Sequence, residues 1–151
     1  MKKINSQRGQ SLVELSISLV LLLVLLSGAV EFGMAFFQFV QLQDAAQEGA
    51  LFGSMNPSDC AGILARVIGS SNSPVDLNGV GVTISTTIDG NACGTTAPYN
   101  TLDCEGNGLK VDVTYQHQIF MPFLPQILGN SSFPLHASVT DTILSPVDCI
   151  P

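Results

Sequence analysis

The sequence predicts an α+β fold in which one long N-terminal helix leaves a membrane, turns amphipathic and packs on a small antiparallel sheet. Three observations predict it. No proline occurs between Gln10 and Pro57, and the sixteen residues from Leu15 to Val30 carry no charge. Past Glu31, apolar and small side chains recur at helical spacing. Beyond residue 78, three stretches alternate apolar and polar residues with the period of a strand.

The helix is expected over residues 10–53, roughly 65 Å at 1.5 Å per residue. Its first part, about 12–30, is apolar all round and long enough to span a bilayer. Beyond it, Ala35, Phe39, Leu42, Ala46, Ala50 and Gly53 form a stripe, with Gln38, Gln41, Asp44 and Glu48 on a polar face. The stripe ends in small residues, which let another element approach the backbone closely. Ser54 to Asp59 is a breaker followed by a capping residue, and a short helix is expected over about 58–69.

The strand-like runs come next. Val80, Val82, Ile84 and Ile88 form one apolar face; Val111, Val113, Tyr115 and Ile119 a second; Leu135, Ala137, Val139 and Ile143 a third. Each run has a polar opposite face, as in an antiparallel sheet covered on one side. The connection over 89–108 is read as a long loop rich in Gly, Asn and Thr, and that over 121–130 holds Pro122 and Pro125. The chain therefore divides into a leader, 1–9, a long helix, 10–53, and an extracytoplasmic α+β domain, 54–151.

Charge orients the chain. Lys2, Lys3 and Arg8 precede the apolar run; after Gly9 two basic residues face all twelve acids, a net charge of −10. A basic head before an apolar span predicts a cytoplasmic N-terminus and an exported body. The acidic body also excludes nucleic acid as a partner, because phosphate binding needs a basic surface.

Export makes disulfides the expected state of Cys60, Cys93, Cys104 and Cys149. Four cysteines allow three pairings. The short loop favours Cys93–Cys104, about 3 kcal/mol in the chain-entropy model, and leaves Cys60–Cys149. No pair has the close spacing of a structural zinc site.

The residue least at home is Glu14, a carboxylate at the mouth of the apolar run, where lipid cannot solvate it. Cutting after Gly9 creates an amine at Gln10 and makes Glu14 the fifth residue of the mature chain. Two blander readings exist: Glu14 reaches back to the interface, or Leu15–Leu26 is the core of a signal peptide cut near Ala29. The apolar character continues through Phe32, Phe36, Phe37 and Phe39, which argues against the latter.

Other sites are weaker. His117 falls on the apolar face of its strand, as a hydrogen-bonded core or edge histidine would, and His136 stands alone on the polar face. Asp103, Glu105 and Asn107 place oxygen ligands at alternate positions before Gly108, a weak calcium candidate. Position twelve of that loop is Thr114, however, so a tight acidic turn is the simpler reading. No nucleophile–base pair, phosphate loop or metal spacing marks an enzyme, and no cofactor is expected.

Arg8-Gly9-Gln10-Ser11-Leu12-Val13-Glu14, then Glu31-Phe32-Gly33, then Asp44-Ala45-Ala46-Gln47-Glu48-Gly49-Ala50 together resemble TadE-like proteins, the pseudopilins of the tight-adherence (Flp, type IV-like) pilus system. Val111-Asp112-Val113-Thr114-Tyr115 is a fainter echo of a late strand in that family. The chain departs from the pattern twice. Leu15 stands where the small major pilins carry Tyr, and the membrane helix lacks the usual Pro.

The resemblance implies a pilin-like fold and a role in pilus assembly and surface adhesion. It implies a single-pass protein of the bacterial inner membrane. It also implies a prepilin peptidase that cuts between Gly9 and Gln10. The new amine of Gln10 would pair with Glu14 of a neighbouring subunit, so the implied partners are other pilin-like subunits, the assembly platform and the bilayer. A membrane-anchored binding or sensor module is the alternative, with the helix as anchor only.

Overall fold

The computed structural model describes residues 7–94, 104–121 and 124–144. Helix α1 (Gln7–Met55) and helix α2 (Cys60–Gly69) precede strands β1 (Val82–Ile88), β2 (Asn91–Ala92) and β3 (Gly108–Gln118); a short helix α3 (Leu124–Leu128) and strand β4 (Ser132–Thr142) follow. All pairings are antiparallel, in the order β2-β1-β3-β4. The outer half of α1 lies across one face of this sheet, the α+β, pilin-like arrangement the sequence predicts.

Register explains the two faces of the sheet. Ile88 pairs with Leu109, Ile84 with Val113 and Val82 with Tyr115, and on the other side Val113 pairs with Ala137 and Tyr115 with Leu135. These side chains all face α1. Lys110, Asp112, Thr114 and Gln116 of β3 alternate with them and face away. Pro134 is tolerated because β4 is an edge strand with no neighbour on its outer side.

Helix α1 contributes Leu42, Ala45, Ala46 and Ala50 to a core completed by Ile63 and Val67 of α2 and by the sheet. Small residues set the distance. A Cβ on Gly49 would meet Val67 Cγ2 at 2.3 Å, and one on Gly53 would meet Leu109 Cδ2 at 2.3 Å. Glycine at these two positions thus seats α1 against both α2 and β3. At the helix end the Leu144 amide donates to the Ser54 carbonyl at 2.9 Å, satisfying a group that has no partner within the helix. Helix α2 opens as its sequence suggests, with Asp59 accepting from the Gly62 amide at 2.8 Å.

Four expectations are corrected. Phe39 is 37 % exposed, whereas Gln38, placed on the polar face, is buried. The buried arc runs through Glu31, Ala35, Gln38, Leu42, Ala46 and Gly49, because the sheet offers polar groups to the polar members of that arc. Val80 lies outside β1 and is fully exposed. The 89–108 connection begins with a hairpin, β1–β2, whose two-residue turn, Asp89-Gly90, has φ of 48° and 82°. That turn type needs positive φ at both positions and matches the twist of the strands.

The fourth correction concerns the disulfides. Cys60 bonds Cys93, not Cys149, with Cα atoms 5.8 Å apart. The β1–β2 hairpin folds back and delivers Cys93 to the first residue of α2. The bond closes a span of 33 residues, worth about 4 kcal/mol in the chain-entropy model. Cys104 is also disulfide-bonded, so the Cys93–Cys104 pairing is excluded. Cys149 lies outside the described residues.

Candidate functional site

Two regions of α1 carry the chemistry. In the first, Gly9, Gln10 and Glu14 lie in the opening turns of the helix, all exposed. Glu14 has no hydrogen bond or ion pair among the described residues. From Leu12 to Leu26 every side chain is exposed, nearly all of them apolar. A bare apolar rod of this size is stable only in lipid or against other helices. It is the one helix among the described residues long and apolar enough to cross a membrane.

The second region lies where the apolar run ends. Glu31 is 7 % exposed, and His117, on the inner face of β3, is fully buried. The His117 Nε2 atom lies 2.9 Å from Glu31 Oε1, and its Nδ1 atom lies 2.5 Å from Gln38 Oε1. The Phe120 amide donates to both carboxylate oxygens of Glu31 at 3.2 Å. Phe133, which pairs with His117 across β3 and β4, covers the imidazole with ring centroids 4.9 Å apart.

The Nε2 N–H donates to Glu31 Oε1, and Nδ1 faces the Gln38 amide, whose oxygen and nitrogen can exchange places without disturbing the Glu31 bond. Either way a carboxylate within α1 is held by donors that all come from the end of β3. The cluster ties the helix to the sheet at Glu31 and Gln38, and the apolar arc between and beyond them packs on the same face. It holds no nucleophile, and its ring nitrogens are both engaged.

The reading of His117 as a hydrogen-bonded core histidine therefore holds. Its partners are not among those expected from sequence, which places Gln38 on the polar face and takes Glu31 only as the end of the apolar run. Their spacing of seven residues, with Ala35 and Leu42 on the same arc, was the available signal.

On the outer face His136 is not alone: its Nε2 lies 3.3 Å from Asp112 Oδ1, and Lys110 Nζ lies 3.0 Å from the same oxygen. Burial by itself would raise the Asp112 carboxyl. Hydrogen bonds from Lys110 and Ser138 and the charges of Lys110 and His136 outweigh it and hold the group below its ordinary value of 3.8.

The calcium candidate is only partly described. Asp103 lies outside the described residues. Cys104 to Asn107 form a turn closed by the Asn107 amide on the Cys104 carbonyl at 3.2 Å. Among the described residues no group of three or more His, Cys, Asp or Glu side chains is placed to hold a metal.

Residues 9–51 match the family of TadE-like proteins. The matched segment begins at Gly9 and takes in Glu14, Glu31, Gln38 and Gly49; the Val111–Tyr115 echo lies outside it. Neither the curated proteins nor the solved structures contain a match to this chain.

Proposed function

We propose that this chain, whose residues 9–51 are those of a TadE-like protein, is a minor pseudopilin of a tight-adherence (Flp) pilus system. The single observation that carries the reading is that match. It starts at the proposed cleavage glycine and runs along a helix whose first half is apolar and unpacked.

In this reading residues 1–9 form a cytoplasmic leader and the domain from residue 54 onward lies outside the inner membrane. A prepilin peptidase cuts between Gly9 and Gln10. Both residues are helical here, so the enzyme must unwind the backbone locally. A glycine lowers that cost by about 0.5–1 kcal/mol relative to alanine, and it also lets the enzyme approach closely. The freed amine of Gln10 on one subunit then pairs with the exposed Glu14 of its neighbour. Each charge removes the other's desolvation penalty and the pair fixes the axial register of adjacent helices. The protein acts by helix association with pilin-like subunits and the assembly platform, without chemistry of its own, in adhesion and surface colonisation.

Glu14→Ala tests the role of that carboxylate. The expected variant is cut and inserted normally but no longer co-purifies with pilin-like subunits, and its cells lose surface attachment. Undiminished assembly would reduce the helix to an anchor and favour an extracytoplasmic binding module.

A further inference from the structure

The connection between β3 and β4 has a composition unlike the rest of the exported domain. From Ile119 to Leu135 there is no charged residue, in a body whose net charge is −10, and the stretch includes Phe120, Met121, Leu124, Ile127 and Leu128. Such a segment is unusual on a surface that faces water.

Its position is equally specific. Met121 Cε lies 3.6 Å from where a Cβ would stand on Gly28. Gly28 belongs to the uncharged run Leu15–Val30, about 4.5 Å further toward the N-terminus than Glu31 along the helix axis. The connection therefore descends beside the membrane segment instead of ending above it. Phe120 gives its amide to Glu31 yet leaves its ring 68 % exposed. On the helix Phe32 and Phe36 stack on each other and are also exposed, at 73 % and 59 %.

We infer that Phe120 and Met121, with Phe32 and Phe36 of α1, insert into the bilayer surface, so that the sheet's lower end is a second lipid contact beside the helix. Lipid is the occupant because this patch continues the flank of α1 that already requires it. Over Leu12–Val30 the helix spans about 28 Å, close to the roughly 30 Å hydrocarbon core of a bilayer. Phe120 and Phe32 then lie at its edge, and Phe36, about 9 Å beyond Val30, lies within the headgroup layer above them.

The same placement accounts for the Glu31 cluster. A carboxylate at this depth cannot rely on water, and three of its hydrogen bonds are supplied from the inserted end of the sheet. The inference requires a membrane span but neither cleavage nor assembly, so it can fail while the pseudopilin reading stands.

The chain contains no tryptophan, so a single introduced one reports its own surroundings. Phe120→Trp and Met121→Trp would be placed separately in the full, uncut chain. Each would be reconstituted in phosphatidylcholine–phosphatidylglycerol vesicles containing phosphatidylcholine brominated on its acyl chains. Circular dichroism confirms folding, and Leu144→Trp, 63 % exposed and beside Ser54 at the far end of α1, serves as the reference. The expected result is blue-shifted emission at 120 and 121, mostly lost to brominated lipid and spared by aqueous iodide, with the reverse at 144. Quenching of both by iodide and not by brominated lipid would overturn the inference. So would protection from both quenchers, which would mean that protein and not lipid covers these positions.

Discussion

Replacing His117 by Phe should destabilise the outer domain far more than its loss of volume suggests. The variant leaves the Glu31 carboxylate, 7 % exposed, with only the Phe120 amide, and strips Gln38 Oε1 of its partner. Breaking a buried pair from one side costs about 3–5 kcal/mol, and an orphaned buried amide oxygen adds about 1–3. Glu31→Leu should cost less, about 1–3 kcal/mol, because it leaves the N–H groups of His117 and Phe120 without an acceptor but no carboxylate buried without its partner. The double variant Glu31→Leu/His117→Phe removes both members of the pair. Since apolar replacement of a whole buried pair is often neutral, its loss should fall at least about 2 kcal/mol short of the sum of the singles. The assay is urea unfolding of the full chain in detergent micelles, followed by the circular dichroism of the sheet. Additive losses, or a His117→Phe variant within about 0.5 kcal/mol of the parent, would refute the view that the cluster fixes helix on sheet.

Further outcomes are expected elsewhere. Gly49→Val should cost about 2 kcal/mol by overpacking against Val67, whereas Gly33→Ala, with nothing within 4 Å of the new Cβ, should gain up to about 1 kcal/mol from helix propensity; the same unfolding assay separates them. Peptide mapping without reduction should recover a Cys60–Cys93 linked peptide, and replacing both cysteines by Ala should lower stability by about 4 kcal/mol; a Cys93–Cys104 peptide would contradict the fold. Because the Asp112 carboxyl is held low in the folded state, its contribution is fully present above the unfolded value of about 3.9 and is lost as pH falls through the folded one. Asp112→Asn should therefore flatten the acid limb of a plot of urea midpoint against pH, leaving the neutral region with a smaller stability than the parent.

Much of the architecture was legible in the sequence because it rests on periodicity. The apolar run, the small residues at Ala46, Ala50 and Gly53, and the alternation of Val111, Val113 and Tyr115 each answer to one dominant physical effect, burial. What was missed depends on pairs distant in sequence. Gln38 is read from its polarity as solvent-facing and Glu31 only as the end of the apolar run, yet both are buried because His117, 86 and 79 positions from Glu31 and Gln38, meets them. Loop length alone favours Cys93–Cys104, whereas the Asp89-Gly90 turn reverses the chain and aims Cys93 at α2. That dipeptide is a readable hairpin signal at the start of a long connection rich in Gly, Asn and Thr. At the N-terminal site the sequence supplied the residues and the structure adds their exposure on a helix, with Glu14 facing outward and unpaired among the described residues.

Gly9 and Glu14 are proposed to serve prepilin-type processing and assembly. The intact mass and N-terminal sequence of the protein recovered from its cells test this most directly. The account predicts a chain that begins at Gln10, and loss of that cut when Gly9 is replaced by a bulky residue. A chain left uncut at Gly9, or one that begins near residue 30, would contradict it.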